Sequence, residues 1–174
     1  SAAASDGNVT AAEYESVAQK LDMVSLCDYM IVNQFGANAD WDRHNWRAAG
    51  GGVNDVPWRI YSWDGERVLE GISASVMPED NASCPSALFQ NLRDSDEFMM
   101  LFADRVHRHY FNDGVLTPEG AIALWTNRVA QLDQAIIAES ARWGDYRRDV
   151  RGSGDLYTRN DHWIPEQDRL LDSY

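Results

Sequence analysis

This sequence predicts a mainly helical fold carrying one small antiparallel β-hairpin, and three observations predict it. Apolar residues recur at helical intervals in several separate stretches. Thr10 with Glu13, and Asp94 with Glu97, have the spacing of helix-starting capping boxes. One tryptophan-rich segment, split by Gly50-Gly51-Gly52-Val53-Asn54-Asp55, has the composition of two strands and a turn. With 174 residues, 44% hydrophobic and 11% aromatic, the chain is sized for one domain with a sizeable core, so 1–174 is read as a single domain.

In chain order, Tyr14, Val17, Ala18 and Leu21 follow the first capping pair, and the spacing predicts a helix from Ala11 to Leu21. Asp22 can cap a second helix, whose apolar face comprises Val24, Leu26, Cys27, Met30 and Ile31 and which Gly36 terminates. A polar loop follows, then strands over 44–49 and 56–63. Residues 71–85 hold Ser, Asn, Asp and Pro without steady periodicity and read as an exposed loop. A helical body is expected over 86–145. In it a short helix spans 86–92, a second displays Phe98, Leu101, Phe102, Arg105, Val106 and His109 on one face, and Thr117-Pro118 opens a long third. That last helix keeps a stripe of Ile122, Trp125, Val129, Leu132 and Ile136 and ends at Gly144. Residues 146–174 read as an extended arm and a final helix around 165–171.

The formal net charge of −13 argues against nucleic acid as a partner, because a polyanion would bind against the protein's own field. No apolar run approaches the roughly eighteen residues of a membrane span, and the opening Ser1-Ala2-Ala3-Ala4-Ser5-Asp6 has neither region of a signal peptide. Lys20 is the only lysine, against fourteen arginines. Cys27 and Cys84 match no zinc or redox spacing. Cys27, inside an apolar helical stretch, reads as a buried inert thiol.

The stretch from Asp28 to Trp46 carries the chemistry. Asp40 and Asn45 stand five apart in a polar loop behind an apolar helix, with a glycine-turn hairpin and then Trp63-Asp64-Gly65 after them. That spacing and order match the catalytic loop and metal-binding Asp of a phosphotransferase: one carboxylate orients and deprotonates an acceptor hydroxyl, and an amide and a second carboxylate hold magnesium. Asp40 is the candidate catalytic residue, Asn45 and Asp64 the candidate metal ligands. An antiparallel hairpin brings Asn45 and Asp64, at its two outer ends, side by side. The same loop, with Asn38, Asp42, Arg43 and His44, also reads as a cluster of Asx turns capping neighbouring N–H groups. His44 suits loop orientation better than general base catalysis. His107 and His109, two apart on a helix, share no face and form no metal pair. Trp41, Trp46, Trp58 and Trp63 are read as filling the core and interfaces rather than stacking on a ligand.

Tyr29-Met30-Ile31-Val32-Asn33 with Asp40 and His44-Asn45-Trp46, then Pro57-Trp58-Arg59-Ile60-Tyr61-Ser62-Trp63-Asp64, resembles the CotH family of spore-coat and secreted bacterial proteins with an atypical protein-kinase-like fold. Leu116-Thr117-Pro118-Glu119, 139–145 and 157–163 are similar to the helical tail of its larger secreted members. The resemblance implies the carboxyl lobe of a kinase-like fold and transfer of phosphate from ATP, with magnesium or manganese, to Ser or Thr of a protein substrate. It also implies an extracytoplasmic or cell-surface location. Asp40 matches the family's catalytic Asp and Asp64 its metal-binding Asp. One departure is visible: where the family commonly has a second Asp soon after Pro-Trp-Asp, this chain has Ser62-Trp63-Asp64 followed by Gly65-Glu66.

A kinase also needs a glycine-rich loop and a Lys–Glu pair over the nucleotide phosphates. Fewer than thirty residues precede Tyr29, none forms such a loop, and Lys20 falls on an expected helix. The expectation is therefore a carboxyl-lobe fragment, inactive or weakly active alone. The alternative is a non-catalytic protein- or carbohydrate-binding module of a secreted protein, using an acidic, aromatic surface.

Overall fold

The computed structural model describes residues 9–174. Its contacts divide into two compact units between Asn112 and Asp113. The expected helical body thus contributes two helices to the first unit and one to the second. The expected class holds: the architecture is mainly helical with a single two-stranded antiparallel sheet among the described residues.

In the first unit α1 (Ala11–Ala18) opens with the expected capping box, Thr10 and Glu13 satisfying each other's backbone N–H groups. It stops short of the expected Leu21 because residues 20–22 leave the helix to pair with the hairpin. Trp58 N–H donates to Lys20 O at 2.7 Å, and Asp22 N–H to Trp58 O at 2.9 Å. Asp22 then caps α2 (Met23–Phe35) through Ser25 N–H at 3.0 Å, and Arg59 holds its other oxygen at 2.8 Å.

Helix α2 is the axis of this unit and packs on the second hairpin strand and on both following helices. Met23, Leu26, Cys27, Tyr29, Met30, Ile31 and Asn33 are all buried, so apolar burial extends around most of its circumference. Val24, placed by its sequence position on the apolar face, is instead 41% exposed. Cys27 is a buried free thiol, as expected, and burial with the neighbouring Asp28 pushes its pKa up to about 12.

The hairpin consists of β1 (Trp46–Gly51) and β2 (Val56–Ser62), with Trp46 opposite Ser62 and Ala48 opposite Ile60. A bulge falls between Ala49 and Gly51, where Gly51 takes φ +69°. A Cβ on Gly50 would lie 2.5 Å from Trp58 Cα, so only glycine lets the strands close there. Of the four tryptophans around the hairpin, Trp41 is in the core at 1% exposure, but Trp58 and Trp63 lie open to solvent.

Helix α3 (Pro85–Leu92) and α4 (Asp96–Tyr110) complete the unit. Phe89 meets Phe98 and Phe102 edge-on with centroids 5.8 and 5.0 Å apart, joining the two helices over Leu26 and Met30 in one core cluster. The cap of α4 is Ser95, one residue beyond the expected Asp94, because the Ser95 hydroxyl takes Phe98 N–H at 3.2 Å.

In the second unit α5 (Pro118–Trp143) starts at the Thr117 cap with Pro118 in its first turn and ends at Gly144, as expected. Its covered line runs through Ala121, Trp125, Val129, Asp133, Ile136 and Ser140, all half-buried, while Ile122 and Leu132 of the expected stripe face solvent. The covering element is narrow. A π-helical turn (Arg159–Trp163) runs directly into α7 (Ile164–Ser173), joined to α5 by Arg159 on Asp133 and by Trp125 Nε1 on Gln167 at 3.0 Å. The expected arm is therefore only partly extended: α6 (Tyr146–Asp149) and the π-turn interrupt it, and the last helix begins at Ile164.

Polar tethering of α4 to α2 runs through Asp28, which accepts from Arg105 Nε at 2.7 Å and Nη2 at 2.6 Å and lies 3.0 Å from His109 Nε2. Burial raises the Asp28 carboxyl, but the hydrogen bonds and charges of Arg105 and His109 outweigh it and hold the group below the usual carboxylate range. A folded-state value below the unfolded one means stability that is complete above the unfolded carboxylate value and lost as pH falls through the folded one. Urea melts from about pH 6 to about pH 2 should thus show wild type losing more stability than Asp28→Asn, most steeply below about pH 4. Parallel losses in the two proteins would remove Asp28 from the acid response.

Candidate functional site

The site is built on the turn where α2 gives way to β1. Gly36 ends the helix, and Ala37 at φ 43° turns the chain into the left-handed region. Main-chain bonds then clamp the turn from two directions: Asn38 N–H donates to Asn33 O at 3.0 Å, Ala39 N–H to Arg67 O at 2.8 Å, and Leu69 N–H to Gly36 O at 2.7 Å. The Trp41 ring drops into the core against Tyr29, centroids 5.7 Å apart, and Tyr29 Oη donates to Trp41 O at 3.4 Å. Burial, then the nearby Asp42 charge, pushes the Tyr29 hydroxyl well above its ordinary value, so it stays a neutral donor.

Asp42 is buried at 2% exposure, and its role is structural. Its Oδ1 accepts Ser86 N–H at 2.9 Å, and its Oδ2 accepts the Ser86 hydroxyl and, at 2.7 Å, Asn81 Nδ2. Cys84, the capping residue of α3 by position, makes no side-chain cap, so a carboxylate from a distant loop caps that helix instead. Arg43 adds a 2.7 Å bond to Asn81 Oδ1. Asp42 thus caps a backbone N–H, but one distant in sequence; the local Asx-type bond of this loop is the one from Asp40 N–H to Asn38 Oδ1.

The Asp40 side chain itself caps no backbone group among the described residues. The Asp40 main-chain N–H is held by Asn38 Oδ1 at 3.1 Å, while its carboxylate projects outward, about one-third exposed, with Oδ1 2.7 Å from His44 Nε2. Among the described residues its second oxygen has no hydrogen-bond donor, and His44 bonds within the loop, to the Asp40 carboxylate. Asn45, 8% exposed, directs its Nδ2 onto the Asp64 carbonyl at 3.4 Å, which leaves its Oδ1 as the side-chain acceptor. Trp63 N–H donates back to Asn45 O at 3.1 Å. The hairpin therefore brings Asn45 and Asp64 together as antiparallel pairing requires. Asp64 sits at φ +50°, a conformation that Asp tolerates, with its side chain in solvent.

Asp40 is joined to His44 rather than directly to Asn45 or Asp64. Among the described residues no three His, Cys, Asp or Glu side chains converge as a metal-holding group. The hairpin end offers the Asn45 amide oxygen and the Asp64 carboxylate, hard oxygen donors of the kind that suit magnesium or manganese. Sequence reasoning left Asn33, Ser86 and Asn81 out of the site. Asn33 carried a signal, being a polar side chain amid Met30-Ile31-Val32; Ser86 and Asn81 carried none, since their partner is about forty residues away.

A family model described as CotH kinase protein matches residues 5–172, nearly the whole chain. No curated protein and no solved structure matches it.

Asp42→Ala should cost about 3 kcal/mol in chemical denaturation, because it strands the Ser86 N–H and hydroxyl in a dry position. Asp40→Ala, removing only a half-exposed pair with His44, should cost no more than about 1 kcal/mol. Equal losses would show that the two carboxylates do not divide into structural and free.

Proposed function

The chain belongs to the CotH kinase family, and from that premise we propose that it carries the acceptor and metal side of a phosphotransfer site moving phosphate from ATP to a Ser or Thr hydroxyl of a protein. What supports the proposal is chain order, an outward-facing Asp40 carboxylate held on one oxygen by His44 and followed by a hairpin whose ends join Asn45 to Asp64, the order such a site uses.

In this reading Asp40 Oδ2 receives the hydrogen bond of the acceptor hydroxyl while His44 fixes Oδ1. As the acceptor oxygen bonds to the γ-phosphorus and the bond to the ADP oxygen breaks, the hydroxyl proton passes to Asp40. Asn45 Oδ1 and the Asp64 carboxylate are the ligands for magnesium or manganese, which when bound neutralises phosphate charge. Glu66 stands nearest in sequence to the family's second acidic position.

Positioning of the nucleotide is the weak half. No glycine-rich loop stands before Tyr29 in the sequence, and the only lysine, Lys20, is an exposed residue whose main chain is spent on Trp58. Nothing here fixes a γ-phosphate in line with the acceptor, and such positioning accounts for much of the rate in this chemistry. Phosphotransfer by this chain is accordingly slow or absent unless a nucleotide-covering lobe is supplied.

Two measurements test this. Calorimetry with Mn²⁺ should give weak binding that Asp64→Ala abolishes; equal affinity in the two proteins would remove Asp64 from the site. Radiolabelled ATP with a generic protein acceptor should give background labelling by this chain. A longer form carrying an upstream glycine loop and lysine should label in an Asp40-dependent way. Robust labelling by the short chain, or labelling by the longer form that survives Asp40→Ala, would overturn the assignment.

A further inference from the structure

Two amide side chains, Asn33 at 3% and Asn38 at 2% exposure, are among the few polar residues fully buried in the first unit. Their hydrogen bonds form a continuous path. Asn33 Nδ2 donates to its own helix at Tyr29 O, 2.8 Å, and to Ser62 Oγ on β2, 3.3 Å. Asn33 Oδ1 accepts from Asn38 Nδ2 at 3.0 Å, and Asn38 Oδ1 accepts the Asp40 main-chain N–H at 3.1 Å. One end of the path is therefore the backbone of Asp40 and the other is two residues before Asp64. Asn38 also lies beside the Asp64 flank, since a Cβ on Gly65 would lie 3.8 Å from Asn38 Nδ2.

We propose that Asn33 and Asn38 are positioning residues that hold the Asp40 loop and the Asp64 strand end in one fixed register. The inference rests on the phosphotransfer reading, which gives those two carboxylates their roles. Each amide must act as donor and acceptor at once, a requirement that Asp, Leu or Ala at either position cannot meet. The two inner bonds, Asn33 to Tyr29 O and Asn38 to Asn33, are buried and have no competing solvent partner, so breaking either strands an amide, while the part-buried outer bonds to Ser62 and Asp40 carry a shift of the amides to the two ends. Asp42 is the instructive contrast. Its bonds are as buried, but they lead to Asn81 and Ser86, not to either candidate carboxylate.

Ser62 supplies the gentlest test, because it is a surface residue whose loss does not touch Asp40. In Ser62→Ala and Asn33→Ala, amide hydrogen exchange at Asp40 should accelerate several-fold while exchange at Ser86, held by Asp42, stays at the wild-type rate. Mn²⁺ affinity measured by calorimetry should fall several-fold in both variants and return in Ser62→Thr, which keeps the hydroxyl. Unchanged Mn²⁺ affinity in both variants, in a wild type that binds the ion, would overturn the positioning role while leaving the phosphotransfer reading standing. If Asn33→Ala fails to fold, Ser62→Ala and Ser62→Thr decide alone. A wild type that binds no Mn²⁺ overturns the phosphotransfer reading, and the positioning role with it.

Discussion

Removing the Asp42 carboxylate would leave two buried donors of Ser86, its N–H and its hydroxyl, without a partner and take from Asn81 Nδ2 one of its two acceptors. The Ser86 N–H is one that an α-helix start cannot satisfy by itself. The loop is thereby pulled onto α3 on one side, and the Trp41 side chain next to Asp42 is seated in the core on the other. A loop of this composition would otherwise be a mobile surface connection. With Trp41 and Asp42 fixed inward, Asp40 and Arg43 are left on the outer side of the same short turn. The exposure of Asp40 is thus a consequence of the burial of its neighbours, and so is its freedom to meet another molecule.

The hairpin depends on the same region. Its first strand starts where the loop ends, its second is held at the outer edge by residues 20–22, and Ser25 on α2 both donates to and accepts from Ile60. Those attachments set where Asp64 emerges, and the left-handed φ of Asp64 followed by Gly65 turns the chain back toward Asn38. Family membership and this geometry support each other without being the same observation. The first places the chain in the CotH kinase family, and the second says which carboxylate is exposed and which is buried in structural bonds.

Local signals were the legible part of the sequence. The Thr10 box, the Asp22 cap, the Thr117-Pro118 start and the Gly144 stop are each decided within a few residues, and each appears where its chemistry demands. Errors fell where a distant partner decides. Ala11–Ala18 ends early because Lys20 and Asp22 pair with Trp58, and the cap of α3 comes from Asp42, far away in sequence. His109 could be excluded from a metal pair with His107 by spacing, but its actual place beside Asp28 and Arg105 depends on helix packing that no local pattern encodes. In the long helix, periodicity located an apolar side and overstated its width: within the second unit the 159–170 segment covers a narrow line of it. For the candidate site, order and spacing named Asp40, Asn45 and Asp64, of which the structure brings Asn45 to Asp64 and leaves Asp40 beside His44. The asparagine framework beneath them was not legible, since a buried amide and a surface amide look alike until burial is known.

The claim at the centre of this account is that the hairpin end at Asn45 and Asp64 is the cation end of a site whose acceptor end is Asp40. Crystals of the chain soaked with Mn²⁺ and ADP test it directly, through the anomalous scattering of the metal. The account predicts a peak within ligand distance of an Asp64 carboxylate oxygen and Asn45 Oδ1, about 2.2 Å, with Asp40 left unligated. A peak coordinated by Asp40 and His44 without Asp64, or metal bound only elsewhere on this acidic chain, would contradict it.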